Sequence, residues 1–580
     1  MYLESLSTKG FRSCNATSIT FQKDLTVLLG ENNGGKSNLI DAVRLLTLPL
    51  NGRRERYAET DDLTRNPEAE AFEIEGHYAD LSDVLKGMLI SAVPDPTVNE
   101  AMYGCKFEKP TEASKNTRGK FKTWAGKYEN TEPEAGSQDL IRHVYLPPLR
   151  DAQQALGSGS AARLMSLFRH FLPPEEEEAF LREIKRTGGS PTVLTTMNTS
   201  ISTALGKLTA GVRSQTAEVS FSDEKIQDIA RDLRFKIGDT GISLGDIKTS
   251  GLGYANLLYM ATVVVELAKA NEADLTIFLV EEPEAHLHPQ LQLLVLEFLL
   301  EQAEKSNGAG VAGQPEGKIQ VIVTTHSPNL SSAIAPKHIV SVKSVRSATG
   351  NHTITIPISK LEIDGPSLKK IERYIDVTKS SLLFSSKAML VEGIAETLLI
   401  PVIAKKFTLS ADGDGLQRFK GSSFVAIDGV DFKPYVTLLL KKYGENCMID
   451  KLVIVTDADP QLAGNRKEDL EALATTLTSR DKLFVYTNTN TLEHELYLAG
   501  NAAILKTAFL KLHNRSETRW NTDIDTKPVA ERADAFVKLL KDMEVRKGDY
   551  AHSLIEEIEN GMAFITPDYL NSAISKIAEA

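Results

Sequence analysis

The chain has 580 residues, 42% hydrophobic and 25% charged, with a net charge of −12 at pH 7. That length predicts about three to five domains, and the apolar and charged fractions are those of a soluble globular protein. Cys14, Cys105 and Cys447 are widely spaced, which excludes a disulfide framework and a Cys-rich zinc site. No run of 18 or more apolar residues occurs, and the first residues lack a basic and then apolar leader, so a cytoplasmic protein without membrane contact is expected. The acidic balance does not favour indiscriminate DNA binding, because phosphate neutralisation needs clustered Lys and Arg. Local clusters such as Arg53-Arg54-Glu55-Arg56 and the run from Arg182 to Arg186 read by default as solvated faces.

In chain order, Leu25–Leu29 is a buried-strand run, and Ser37–Leu46 carries apolar residues at helical spacing. Between them lies Gly30-Glu31-Asn32-Asn33-Gly34-Gly35-Lys36-Ser37, the GxxxxGKS pattern in the strand-to-helix context it needs. Its small residues let backbone N–H groups close on phosphate oxygens at a helix N-terminus. Gly30, Asn32, Asn33, Gly34 and Gly35 are the cradle, Lys36 reaches the outer phosphates of ATP, and Ser37 ligates Mg²⁺. Residues 155–215 change character, with amphipathic helices predicted over Ala161–Phe171 and Pro174–Arg186, and read as a helical dimerisation insertion. Thr276–Val280 is a strand run ending in Glu281-Glu282-Pro283-Glu284. Glu281 is expected to hold the Mg²⁺ shell and Glu282 to orient or deprotonate the attacking water. The run Gln320–Thr325 ends at His326, placed for a γ-phosphate contact.

These segments, with Thr325-His326-Ser327-Pro328, resemble the ABC-type ATPases of the SMC and RecF-like group. The resemblance implies a signature segment contacting ATP across a dimer interface, matched by Ser250, Gly251 and Gly253, although Ser250-Gly251-Leu252-Gly253-Tyr254 departs from LSGGQ. It also implies a glutamine loop after Tyr145–Asp151, for which Gln153 and Gln154 are both candidates.

In the second half, Lys387–Val391, the strand and turn Ser423–Val430, and Lys451–Thr456 alternate with helical segments, the pattern of a small parallel α/β domain. Glu392 follows the first strand and Glu396 the start of the next helix; Asp428-Gly429 follows the second strand; Asp457 and Asp459 follow the third. Carboxylates at the C-terminal ends of parallel strands converge on the ligand crevice, and without Cys or paired His they suit Mg²⁺ or Mn²⁺. This order resembles the Toprim domain, which implies metal-dependent phosphoryl transfer on nucleic acid.

An ABC-type ATPase followed by Toprim resembles the OLD (overcoming lysogenization defect) nucleases over essentially the whole chain. On that resemblance Thr491–Leu496 places Glu493 in the metal site, and Arg546-Lys547-Gly548 makes Lys547 the basic group that stabilises the cleavage transition state. The implied fold is α/β: an ATPase over 1–154 and 216–378, split by the insertion at 155–215, then Toprim over 379–580. The implied function is an ATP-regulated, two-metal DNA endonuclease in anti-phage defence, acting as a homodimer or higher homo-oligomer. The resemblance further suggests a helicase partner, as in Gabija systems, or a retron reverse transcriptase and its DNA. The second reading is a non-nucleolytic DNA-clamping ATPase in repair. A topoisomerase is a third; Tyr435, Tyr486 and Tyr497 offer no spacing that singles out a nucleophile.

Overall fold

The computed structural model describes the chain apart from residues 51, 53, 55, 111–118, 149–170, 172–175, 177, 178, 180–191, 210–214, 222–232, 240–244, 247–250, 268–271, 286, 309–314, 348, 349, 376, 377 and 459–464. The described residues form two compact units, Met1–Ser359 and Lys360–Ala580.

The first unit begins with an antiparallel sheet of β1 (Tyr2–Phe11), β2 (Cys14–Thr20), β5 (Ala71–Ala79), β6 (Glu100–Glu108) and β7 (Lys120–Ala125), in the order β2-β1-β5-β6-β7. Its second sheet holds β3 (Leu25–Leu29), β4 (Leu48–Pro49), β8 (Ile141–Leu146), β12 (Leu275–Glu281), β13 (Lys318–Thr325), β14 (Ile339–Ser347) and β15 (Gly350–Pro357), in the order β15-β14-β3-β13-β12-β8-β4. The central strands β3, β13, β12 and β8 run parallel. Of these, β3, β12 and β13 are buried along nearly their whole length, as strands covered on both faces require. Helix α1 (Lys36–Leu46) starts seven residues after β3 ends and turns Leu39, Ile40, Val43 and Leu46 into the core between the sheets.

Helix α2 (Thr192–Thr209) corrects part of the predicted insertion. Its buried face, Leu194, Met197, Ile201, Leu205 and Leu208, packs on β9 (Gln215–Phe221) and α3 (Leu252–Leu267). Asn198 fixes the pair by donating to the Val219 carbonyl at 3.0 Å and accepting from its N–H at 2.6 Å. Residues 192–209 therefore pack within the first unit, as does α4 (Pro289–Ser306), which packs on β13 and α2. Apart from Phe171, Glu176 and Ala179, the predicted helices over Ala161–Phe171 and Pro174–Arg186 lie outside the described residues, as do Gln153, Gln154 and the Arg182–Arg186 cluster.

The second unit is a four-stranded parallel sheet ordered β17-β16-β18-β19, from β16 (Lys387–Val391), β17 (Ser423–Ala426), β18 (Lys451–Thr456) and β19 (Leu483–Thr487). Helix α5 (Gly365–Tyr374) packs on α7 (Lys433–Leu440), so residues before 379 belong here and not with the ATPase. Helix α6 (Ile394–Ile403) follows β16, α8 (Arg466–Thr476) precedes β19, and α9 (Leu492–Leu498) follows it. The core is closed by α10 (Arg532–Asp542), α11 (Lys547–Glu559) and α12 (Asp568–Ala578). Phe536 is fully buried there, its ring 5.5 Å from those of Tyr497 and Trp520 and 5.9 Å from that of Tyr550. Phe536→Ala is expected to lower unfolding free energy by about 3–5 kcal/mol, read by urea melts; a change under about 1 kcal/mol would contradict this packing.

All three cysteines are buried and free, in line with the excluded disulfide framework. No helix among the described residues is long and apolar enough to cross a membrane.

Candidate functional site

The first site grows from the β3–α1 turn. Gly35 has φ +103, and a Cβ there would lie 2.1 Å from the Thr353 hydroxyl; one at Gly30 would lie 2.0 Å from the Val342 carbonyl. The β14–β15 hairpin thus backs the loop so closely that only glycine fits at either position. The Lys36 ammonium donates to the carbonyls of Gly30 and Glu31, each at 2.9 Å, holding the loop as a ring. Asn32 and Asn33 are exposed on its rim.

Parallel pairing of β12 with β13, and of β13 with β3, brings the acidic strand end to this loop. The Ser37 hydroxyl donates to Glu281 Oε2 at 3.0 Å, and the Tyr145 hydroxyl to Oε1 at 3.4 Å. Glu282 takes a left-handed backbone (φ +46), and its carboxylate lies 3.5 Å from His326 Nε2. Glu284 Oε1 accepts from the Thr325 hydroxyl and the His326 N–H, both at 2.7 Å, tying the acidic turn to the end of β13. Burial raises the carboxyls of Glu281 and Glu284, and burial with the nearby Lys36 charge lowers the His326 imidazole.

Burial also pulls the Lys36 ammonium down to about 8, against the opposing charges of Glu282, Glu284, Glu31 and Glu281. Above that pH the neutral amine dominates, whereas a phosphate needs the ammonium. A phosphate taken by the Lys36 ammonium would require proton uptake above that pH, so nucleotide affinity is expected to fall about tenfold per pH unit beyond about 8. Titrations with a fluorescent ATP analogue on both sides of that value check this; constant affinity would contradict it.

Beside the loop a cavity of about 700 Å³ is lined by Arg12, Ser13, Asn33, Thr64, Arg65 and Arg346, among others. Arg12 was not foreseen; its guanidinium is aimed by Asp62 at 2.8 Å and Asp41 at 3.0 Å. Arg56, from the predicted basic cluster, turns inward to the same two aspartates. Of the predicted signature residues, Gly251 is exposed ahead of α3 and Gly253 lies in its first turn, while Ser250 is outside the described residues.

The second site stands at the C-terminal ends of β16, β18 and β19. Glu392 follows β16, and its Oε1 takes three donors: the Thr456 hydroxyl, the Asp457 N–H at 2.8 Å and Arg466 Nη1 at 2.7 Å. Arg466, the first residue of α8, also donates to the Asp457 carbonyl at 2.9 Å. Glu396 in the first turn of α6, Asp457 past β18 and Glu493 in the first turn of α9 are each 7% exposed. Lys547 begins α11 with its ammonium 3.4 Å from Glu493. Burial, then the charges of Glu392 and Glu396, push the Asp457 carboxyl up to about 7, although Asn488 bonds to it. Burial works to lower the Lys547 ammonium, but Glu493, Asp457 and Glu396 together raise it.

The structure thus gathers Glu392, Glu396, Asp457, Glu493 and Lys547 in one field of charge. Asp428 is not part of it: 72% exposed, it pairs with Lys379 at 3.6 Å. Asp459 lies outside the described residues. Among the described residues no group of three or more His, Cys, Asp or Glu is arranged to hold an ion. The donors nevertheless fit a hard divalent cation in type and charge, being buried oxygens whose mutual repulsion a cation relieves. Arg466, Asn488 and Tyr569 were missed in sequence. Tyr569 is a neighbour of these carboxylates; burial and the Asp457 charge carry its hydroxyl far above the usual range.

Residues 1–132 and 194–330 match the AAA ATPase domain family, and residues 383–459 match the overcoming lysogenization defect protein-like TOPRIM domain. The chain therefore carries an AAA ATPase domain and a TOPRIM domain. It is homologous to the Old nuclease of Escherichia phage P2, at 25% identity over 74% of this chain and 73% of that one. It is also homologous to the endonuclease GajA of Bacillus cereus (strain VD045), at 21% identity over 76% and 73%. This pairing is consistent with the OLD family. Among solved structures, an Smc head bound to the C-terminal winged-helix domain of ScpA aligns with a TM-score of 0.42 and 17% identity, over 62% of this chain and 99% of that one.

Proposed function

We propose that this chain is an ATP-regulated, metal-dependent DNA endonuclease acting in anti-phage defence. The observation that carries the reading is Asp457, buried at a parallel strand end beside Glu392 and Glu396 and facing the charge of Lys547. Glu392, Glu396, Asp457, Asp459 and Glu493 would hold Mg²⁺ or Mn²⁺. Such ions, when bound, activate water and stabilise the leaving oxygen of a phosphodiester. Lys547, held near the carboxylates by Glu493, neutralises charge that develops on the scissile phosphate. Burial of the carboxylates keeps bulk water from screening these charges.

In the ATPase domain the amides of Gly30–Lys36 take the phosphates, with Lys36 on the outer ones. Ser37 and Glu281, already bonded to each other, hold the nucleotide's Mg²⁺. Glu282 orients the attacking water, and His326 meets the γ-phosphate. Ser250, Gly251 and Gly253 of a second copy complete the site, so the working form is a homodimer or larger homo-oligomer. The dimerisation role falls to the insertion at 155–215, and a helicase or a retron product is a candidate partner in the cell.

Supercoiled plasmid incubated with Mg²⁺ or Mn²⁺, with an EDTA control, tests the reading. Nicked or linear product that EDTA abolishes is expected. Lasting DNA association with no cleavage in either metal would overturn the nuclease reading in favour of a DNA clamp.

A further inference from the structure

Asn488 lies one residue past β19 and is 7% exposed. Its Nδ2 donates to Asp457 Oδ1 at 2.5 Å, and its Oδ1 accepts from the Ala458 N–H at 3.0 Å. The amide's orientation is self-consistent: a backbone N–H can only donate, so Oδ1 must face Ala458, which turns Nδ2 toward the carboxylate. One side chain thus grips both the Asp457 carboxylate and the peptide after it. The β18–β19 ladder already runs to the pair Thr456–Thr487 without it. Glu392 shows the same arrangement, its Oε1 committed to three donors. In both residues one carboxylate oxygen is occupied by protein, and the other has no hydrogen bond among the described residues.

We propose that Asn488 is a positioning residue for Asp457, fixing the carboxylate's rotation so that Oδ1 is withheld and Oδ2 is presented to the divalent cation. This rests on the metal-dependent reading above. A neutral amide adds no charge, so its effect comes through orientation, the usual action of groups that bond to metal ligands. A mere pin between strand ends would affect stability and leave ion affinity alone.

The test is Mn²⁺ binding to the full chain without DNA or nucleotide, read by the free-ion electron paramagnetic resonance signal, with thermal melts alongside. Wild type, Asp457→Asn, Asn488→Ala and the near-isosteric Asn488→Leu are compared. Wild type is expected to bind Mn²⁺ that Asp457→Asn does not, and both Asn488 variants to bind it about 10–100-fold more weakly. If Asn488→Ala fails to fold, Asn488→Leu decides. Folded Asn488 variants with wild-type affinity would overturn the positioning role while leaving the metal reading intact. Wild type without any Mn²⁺ site sensitive to Asp457→Asn would overturn the metal reading, and this inference with it.

Discussion

Asp457→Asn is expected to abolish DNA cleavage while making the metal-free protein more stable above neutral pH. Both effects have one origin. The carboxyl is pushed from 3.8 to about 7 by burial and by Glu392 and Glu396, so its ionised form is disfavoured in the folded state. The penalty is absent below the unfolded value, grows as pH rises, and is complete above the folded value. A shift of that size sets an upper bound of roughly 4 kcal/mol, and an uncharged amide escapes it. The amide oxygen can still accept from Asn488, so the local bond survives. It ligates a cation poorly, and cleavage should drop by about 10³-fold or more. Plasmid cleavage and urea melts in EDTA at about pH 8 check the two halves. An active variant, or one less stable than wild type there, would contradict the account.

Lys36→Ala is expected to weaken ATP binding by about 10²–10⁴-fold, the loss of two charge-assisted hydrogen bonds to phosphate. The ammonium rests on the carbonyls of Gly30 and Glu31. Truncation leaves the loop backed by Val342 and Thr353, so the fold should persist. Isothermal titration with ATP reads the effect, and Mn²⁺ binding by the TOPRIM unit serves as the internal control. Undiminished ATP affinity would place the nucleotide elsewhere.

Local patterns made much of this legible. The β3–loop–α1 turn and the acidic ends of β12, β16 and β18 each announce themselves as an apolar run stopped by charged or small residues. What stayed hidden depends on partners distant in sequence. Nothing near Gly30 or Gly35 foretells that a hairpin more than 300 residues on will press against them. The face of α2 is apolar at helical spacing, but spacing does not say whether the partner is β9 or a second protomer. Asp428 shares the strand-end pattern of Asp457, yet a left-handed turn and Lys379 take it to the surface. Asn488 and Arg466 carried no signal because a lone amide or guanidinium acquires meaning only from the carboxylate it meets.

In the proposed function, nucleotide bound at Lys36 governs cleavage at Asp457. The most direct measurement is the plasmid nicking rate in Mn²⁺ as ATP is titrated, for wild type and Lys36→Ala side by side. A rate that changes with ATP in wild type and not in the variant is expected. Equal responses in both proteins, or no response in wild type, would contradict it.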